Sequence, residues 1–147
     1  TISEENIRRG FKNVIENTGL MGRWQVLCRA PLTICDVGHN KDGIKEVVMQ
    51  IFETPHKKLH FIFGMVSDKN HEEILALLPQ KAIYYFCKPD IPRGLDAMEL
   101  KLKSEKFYLD GQAYSSVKNA LQAAKENAKK DDLIFIGGST FVVAEVI

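Results

Sequence analysis

From residue 32 onward, short apolar runs alternate with stretches whose apolar residues recur every three or four positions. Residues 33–37, 59–63, 82–87 and 132–136 are compact apolar runs bounded by turn formers, the pattern of strands buried on both faces. Between them, Ile44, Val47, Val48, Ile51 and Phe52 share one helical face, as do Ile74, Leu77 and Leu78 behind an Asn70 cap with Glu73 at its third position. Ser115 or Ser116 opens a helix with Val117, Ala120, Leu121, Ala124 and Ala128 on one side. Pro89 and Pro92 break the chain in a loop leading to a short helix over 97–101, and residues 106–109 read as a brief further strand. Ahead of this alternation, Ile7, Phe11, Val14 and Ile15 mark a helix. A capping box from Thr1 to Glu4, or Ser3 alone, starts it, and Gly19 and Gly22 stop it. Residues 23–28 read as a short strand that Pro31 closes.

Strand–helix alternation of this kind predicts an α/β domain. It is a mostly parallel, Rossmann-like sheet with helices on both faces, preceded by a helix and a short edge strand. Right-handed crossovers bring the carboxyl ends of parallel strands to one edge. Asp36, His39, Gly64, Lys88 and Ser139 are therefore expected at a common rim.

Length and charge narrow the function classes. At 147 residues the chain is one ordinary domain. Twenty basic residues against 19 acidic ones leave no whole-domain case for nucleic acid or an anionic membrane. No apolar segment is long enough to span a bilayer and no signal peptide opens the sequence, which points to the cytosol. Cys28, Cys35 and Cys87 are odd in number, widely spaced and set in apolar stretches. They read as buried free thiols, without the paired spacing of a zinc site. His56, His60 and His71 read as surface residues.

The chemistry gathers at strand ends. Asp36 closes an apolar run, and a carboxylate there can accept from the vicinal hydroxyls of a ribose or cap the following helix. His39, beside Asn40, can hold a carboxylate, position an amine, shuttle a proton, or be simply solvated. Gly137-Gly138-Ser139 sits at a strand-to-helix turn, where close backbone approach and a hydroxyl suit a carboxylate or a phosphate; plain helix capping also explains the serine. Arg23 can fork onto phosphate oxygens. The loop Gly64-Met65-Val66-Ser67-Asp68-Lys69 carries an acid and a lysine. No G-x-x-x-x-G-K-[ST] loop occurs anywhere in the chain.

Gly22-Arg23-Trp24-Gln25, Asp36-Val37-Gly38-His39-Asn40, Phe63-Gly64-Met65 through Asp68-Lys69, and Gly137-Gly138-Ser139, in that order, span nearly the whole chain. The set resembles the carboxyl-terminal domain of folylpolyglutamate synthase, often bifunctional with dihydrofolate synthase, within the Mur ligase superfamily. The resemblance implies that residues 1–147 form a single glutamate-ligase domain of a larger two-domain enzyme. A missing amino-terminal ATPase domain would carry the P-loop, the Mg²⁺ ligands and most of the folate site. It implies an ATP-dependent ligase that adds L-glutamate to a folate or to dihydropteroate through an acyl phosphate, and an isolated domain that is inactive. Residue by residue, it places Arg23 on the ATP phosphates and Asp36 on the ribose. His39 and Ser139, with Lys69, go to the incoming glutamate, and Asn40, Gly137 and Gly138 support them. No metal ligand falls in this domain. Relatives commonly carry a proline where this chain has Lys41 and a second acid where it has Asn70. Two other readings stay open: a Mur-type amino-acid ligase domain, and a non-catalytic nucleotide-binding or interaction module.

Overall fold

A computed structural model describes residues 1–147. It contains a six-stranded sheet in the order β1-β2-β6-β3-β4-β5, where β1 is Gln25–Arg29, β2 Leu32–Cys35, β3 Leu59–Phe63, β4 Ile83–Phe86, β5 Gly111–Ala113 and β6 Leu133–Gly137. All neighbouring strands run parallel except the β1–β2 hairpin at one edge.

Each central strand is buried on both sides because successive side chains serve opposite faces. Phe61 and Phe63 of β3 and Leu133 and Phe135 of β6 enter one core. It is covered by α3 (Lys41–Glu53), α4 (His71–Leu75) and α5 (Ala97–Glu105). Ile62, Tyr85, Ile134 and Ile136 point the other way, beneath α6 (Val117–Asn127) and α7 (Thr140–Ala144). The chain leaves β2 over the first face, adds β3, β4 and β5 outward, then returns over the second face to insert β6 between β2 and β3. The windings therefore diverge at β2 and β6, and a crevice forms beyond the carboxyl ends of such strands.

Two short helices, α1 (Glu4–Lys12) and α2 (Val14–Thr18), precede the sheet. The side chain of Ser3, not Thr1, caps α1 by accepting from the Asn6 amide, and Gly19 ends α2 in the left-handed conformation. Asn70 and Ser116 cap their helices as expected.

Four expectations are corrected. Residues 106–109 form no strand; the edge strand is Gly111–Ala113, whose Gly-Gln-Ala sequence carries no apolar alternation. Phe52 points to solvent from the back of α3. Cys28 is exposed because β1 is an edge strand, whereas Cys35 and Cys87 are buried. Burial, with help from Asp36, pushes the Cys35 thiol up to about 11, so that sulfur stays protonated and unreactive near neutrality.

His60 is no surface residue: it is 1% exposed inside β3. Its ring bridges the Tyr85 hydroxyl (Nδ1, 2.9 Å) and Asp132 Oδ2 (Nε2, 3.1 Å). Asn127 donates to the same tyrosine oxygen at 3.2 Å. Proton directions close along this chain when Nε2–H donates to Asp132 and Nδ1 accepts from Tyr85, a tautomer inferred from the network.

Candidate functional site

The carboxyl rim is built by four loops. The β2–α3 loop carries Asp36 to Asn40. Asn40 caps α3 by accepting from the Gly43 amide at 2.8 Å, which frees Asp36 from capping. The Asp36 carboxylate instead accepts from the Trp24 amide at 2.7 Å and from the Gly38 amide at 2.8 Å. These bonds tie the Gly22–Trp24 turn to the rim. They also hold Trp24 at φ 42°, a left-handed conformation that few side chains adopt. Asp36 is 8% exposed and lines a cavity of about 450 Å³ shared with Arg23, Trp24, Glu46 and Gln50. Each oxygen keeps a lone pair beyond its amide partner.

His39 faces a different cavity. Its Nδ1 lies 2.9 Å from the Val37 carbonyl. A carbonyl only accepts, so this nitrogen carries the proton and Nε2 is left for a ligand. The cavity, about 270 Å³, is lined by His39, Lys69, Arg93, Ser139, Thr140 and Phe141 together with Val66 and Gly138. Ser139 is 3% exposed, and its Oγ accepts from the Phe141 amide at 3.1 Å, leaving its O–H to donate. Lys41 pairs with Glu73 at 2.7 Å and joins the starts of α3 and α4.

The expected residues thus gather at one edge but divide between two cavities: Arg23 and Asp36 in one, His39, Lys69 and Ser139 in the other. Gly64 closes β3 at the same edge, and Lys88 lines a third depression with Ser115, Ser116 and Glu145.

Arg93 escaped sequence reasoning. It sits in the loop that Pro89 and Pro92 mark only as a break. That loop is zipped to the β3–α4 loop by an isolated antiparallel bridge between Val66 and Gly94, with Ser67 N–H donating to the Arg93 carbonyl at 2.8 Å and Leu95 N–H to the Met65 carbonyl at 2.9 Å. The guanidinium lies 5.0 Å over the Phe141 ring and 3.3 Å from Asp68 Oδ2. Stacking on an aromatic face and pairing with one acid orient its fork while keeping it at the cavity.

Gly138 makes this geometry possible. Its φ is +93°, and a Cβ there would strike the Phe63 ring and lie 2.6 Å from the Gly64 carbonyl oxygen. Gly138→Ala is expected to lower stability by about 3 kcal/mol, combining left-handed strain with a backbone clash. Chemical denaturation checks this; a midpoint unchanged from the parent protein contradicts it.

Known proteins place the geometry in a family. The profile described as "Mur ligase, glutamate ligase domain" matches residues 22–140. A Haloferax volcanii protein described as a probable bifunctional folylpolyglutamate synthase/dihydropteroate synthase is 35% identical over 98% of this chain and 17% of its own length. The solved structure of Escherichia coli FolC in complex with DHPP and ADP superposes with a TM-score of 0.86 at 30% identity, over 99% of this chain and 34% of that one. A bifunctional folylpolyglutamate synthase/dihydrofolate synthase with Mn, AMPPNP and L-glutamate bound gives a TM-score of 0.81 at 30% identity, over 98% and 34%. The chain spans about a third or less of the length of these relatives. Its sheet order, its rim and this similarity agree: the chain belongs to the Mur ligase, glutamate ligase domain family.

Proposed function

We propose that this chain is the glutamate-binding domain of an ATP-dependent ligase that joins L-glutamate to a folate or to dihydropteroate. The observation that supports it most is the smaller cavity, where two cationic side chains, a hydroxyl and an imidazole converge from four loops. An amino acid with two carboxylates and one amine matches that set. Arg93 and Lys69 take carboxylates, and Ser139 donates its O–H to one of them. His39 Nε2 accepts from the amine when the ring is neutral and donates to a carboxylate only as the imidazolium. The second cavity suits a nucleotide. Arg23 is assigned to phosphate oxygens and Asp36 to ribose hydroxyls through its remaining lone pairs.

The preceding domain would supply the phosphate loop and the Mg²⁺ site. Bringing an amine and an activated acceptor together across a closing interface provides proximity and excludes water, which a hydrolysable acyl phosphate requires. No helix of the chain is long and apolar enough to cross a membrane.

The test is ADP release by the full-length polypeptide that contains this sequence. Release is expected only when L-glutamate and a pteroate or folate acceptor are both supplied, and the 147-residue chain alone is expected to release none. Release with a uridine-nucleotide peptide acceptor instead, or from the short chain by itself, overturns the reading.

A further inference from the structure

The two helices ahead of the sheet present an apolar face with nothing against it. Neither α1 nor α2 contains a buried residue. Phe11 is 75% exposed, and Ile2, Ile7, Ile15, Leu20 and Met21 are exposed with it. This is not a scatter of single residues. Ile7 and Phe11 lie one turn apart on α1, Val14 and Ile15 continue the stripe, and Glu4, Glu5, Arg8, Arg9 and Lys12 occupy the rest of the surface. Ile2 precedes the Ser3 cap and Ile7 stands at the fourth helical position, the spacing of a hydrophobic staple. A sharply two-sided helix with its apolar side in water is a helix without its partner.

Similarity to longer proteins points to the partner. The ligase-domain profile begins at residue 22, just after this segment. Similarity to the much longer relatives nevertheless covers 98–99% of the chain, so it includes α1 and α2. The segment therefore belongs to what the long proteins share but not to the ligase domain as such.

We propose that the Ile7–Phe11–Ile15 face docks into an apolar groove of the larger domain that precedes this one in the full-length polypeptide, so that α1 and α2 pack with that domain and Gly19 to Gly22 act as the joint. This rests on the reading of the chain as one domain of a longer ligase. Gly19 and Gly22 both take left-handed conformations, φ 67° and 75°, and are the only positive-φ residues between the helices and Trp24.

Hydrogen exchange followed by mass spectrometry, on the 147-residue chain and on the full-length polypeptide, tests it. In the short chain the α1 and α2 amides are expected to exchange nearly as fast as unstructured peptide, and in the long one at least ~100-fold more slowly. Phe11→Ser is expected to leave the melting temperature of the short chain within about 1 °C of the parent and to abolish the added protection in the long one. Equal exchange in both proteins overturns the proposal. So does protection in the short chain that grows with its concentration, because the partner is then a second copy. Slowed exchange in a polypeptide that lacks glutamate-dependent ADP release keeps the docking and removes the ligase reading; ligation with unchanged exchange does the reverse.

Discussion

Alanine in place of Arg93 is expected to raise the KM for L-glutamate of the full-length polypeptide by roughly 10- to 100-fold, with a smaller change in kcat. A hydrogen bond to a charged group contributes about 1.5–3 kcal/mol, and each 1.4 kcal/mol is tenfold in affinity. The guanidinium has few other duties, since its Asp68 pair is more than half exposed and worth little. Arg93→Lys should recover only part of the loss, because an ammonium neither forks nor stacks on Phe141 as a guanidinium does. His39→Ala is expected to raise the same KM and leave that for ATP nearly unchanged, because the imidazole faces the smaller cavity alone. Steady-state kinetics with each substrate varied in turn separates these effects. An Arg93 variant with parental KM for glutamate removes the guanidinium from the site.

Asp132→Ala is expected to lower stability by about 3 kcal/mol, or roughly 6–12 °C in melting temperature for a domain of this size. The carboxylate accepts from the Lys58 amide at 3.2 Å, the Lys129 amide at 2.9 Å and His60 at 3.1 Å. Its removal strands a buried imidazole and two backbone donors where β3 and β6 begin. Burial alone would raise this carboxyl, but the donors outweigh it and hold the group below its ordinary value. A folded-state pKa below the unfolded one, about 3.9, adds stability that is fully present above that pH. It is lost as pH falls through the folded-state value. Acid unfolding of the parent should therefore steepen below about pH 4, and the alanine variant should lack that component. Calorimetry across this range checks both statements.

The parts of the fold that sequence made visible are those where one residue type repeats at one period. β3 is apolar at four of its five positions and flanked by turn formers, and its observed bounds match the expected ones. The Asn70 and Ser116 caps are short-range chemistry, readable within three residues. The failures at His60 and β5 depend on partners far along the chain. His60 interrupts an apolar run, and its partners Tyr85 and Asp132 lie 25 and 72 residues away. β5 is defined by pairing with β4, not by its own composition. The site divides the same way. Asp36, His39 and Ser139 stand at strand ends and so were visible from alternation alone. That Asp36 would spend its carboxylate on two backbone amides was not, because one of them belongs to a turn twelve residues upstream. Arg93 reaches the cavity through hydrogen bonds between two loops, for which no local pattern exists.

The stitching of those two loops has a consequence for how the pocket can change. Lys69 and Arg93 ride on segments fastened at Val66–Gly94 and Ser67–Arg93, so neither cation can be relocated without dragging the other. Retuning the spacing between the two cations, as an amino acid shorter or longer than the proposed glutamate would demand, calls for exchanging both segments as a matched pair. Grafting one alone from a relative that takes a different amino acid should weaken the proposed glutamate binding and confer no new preference.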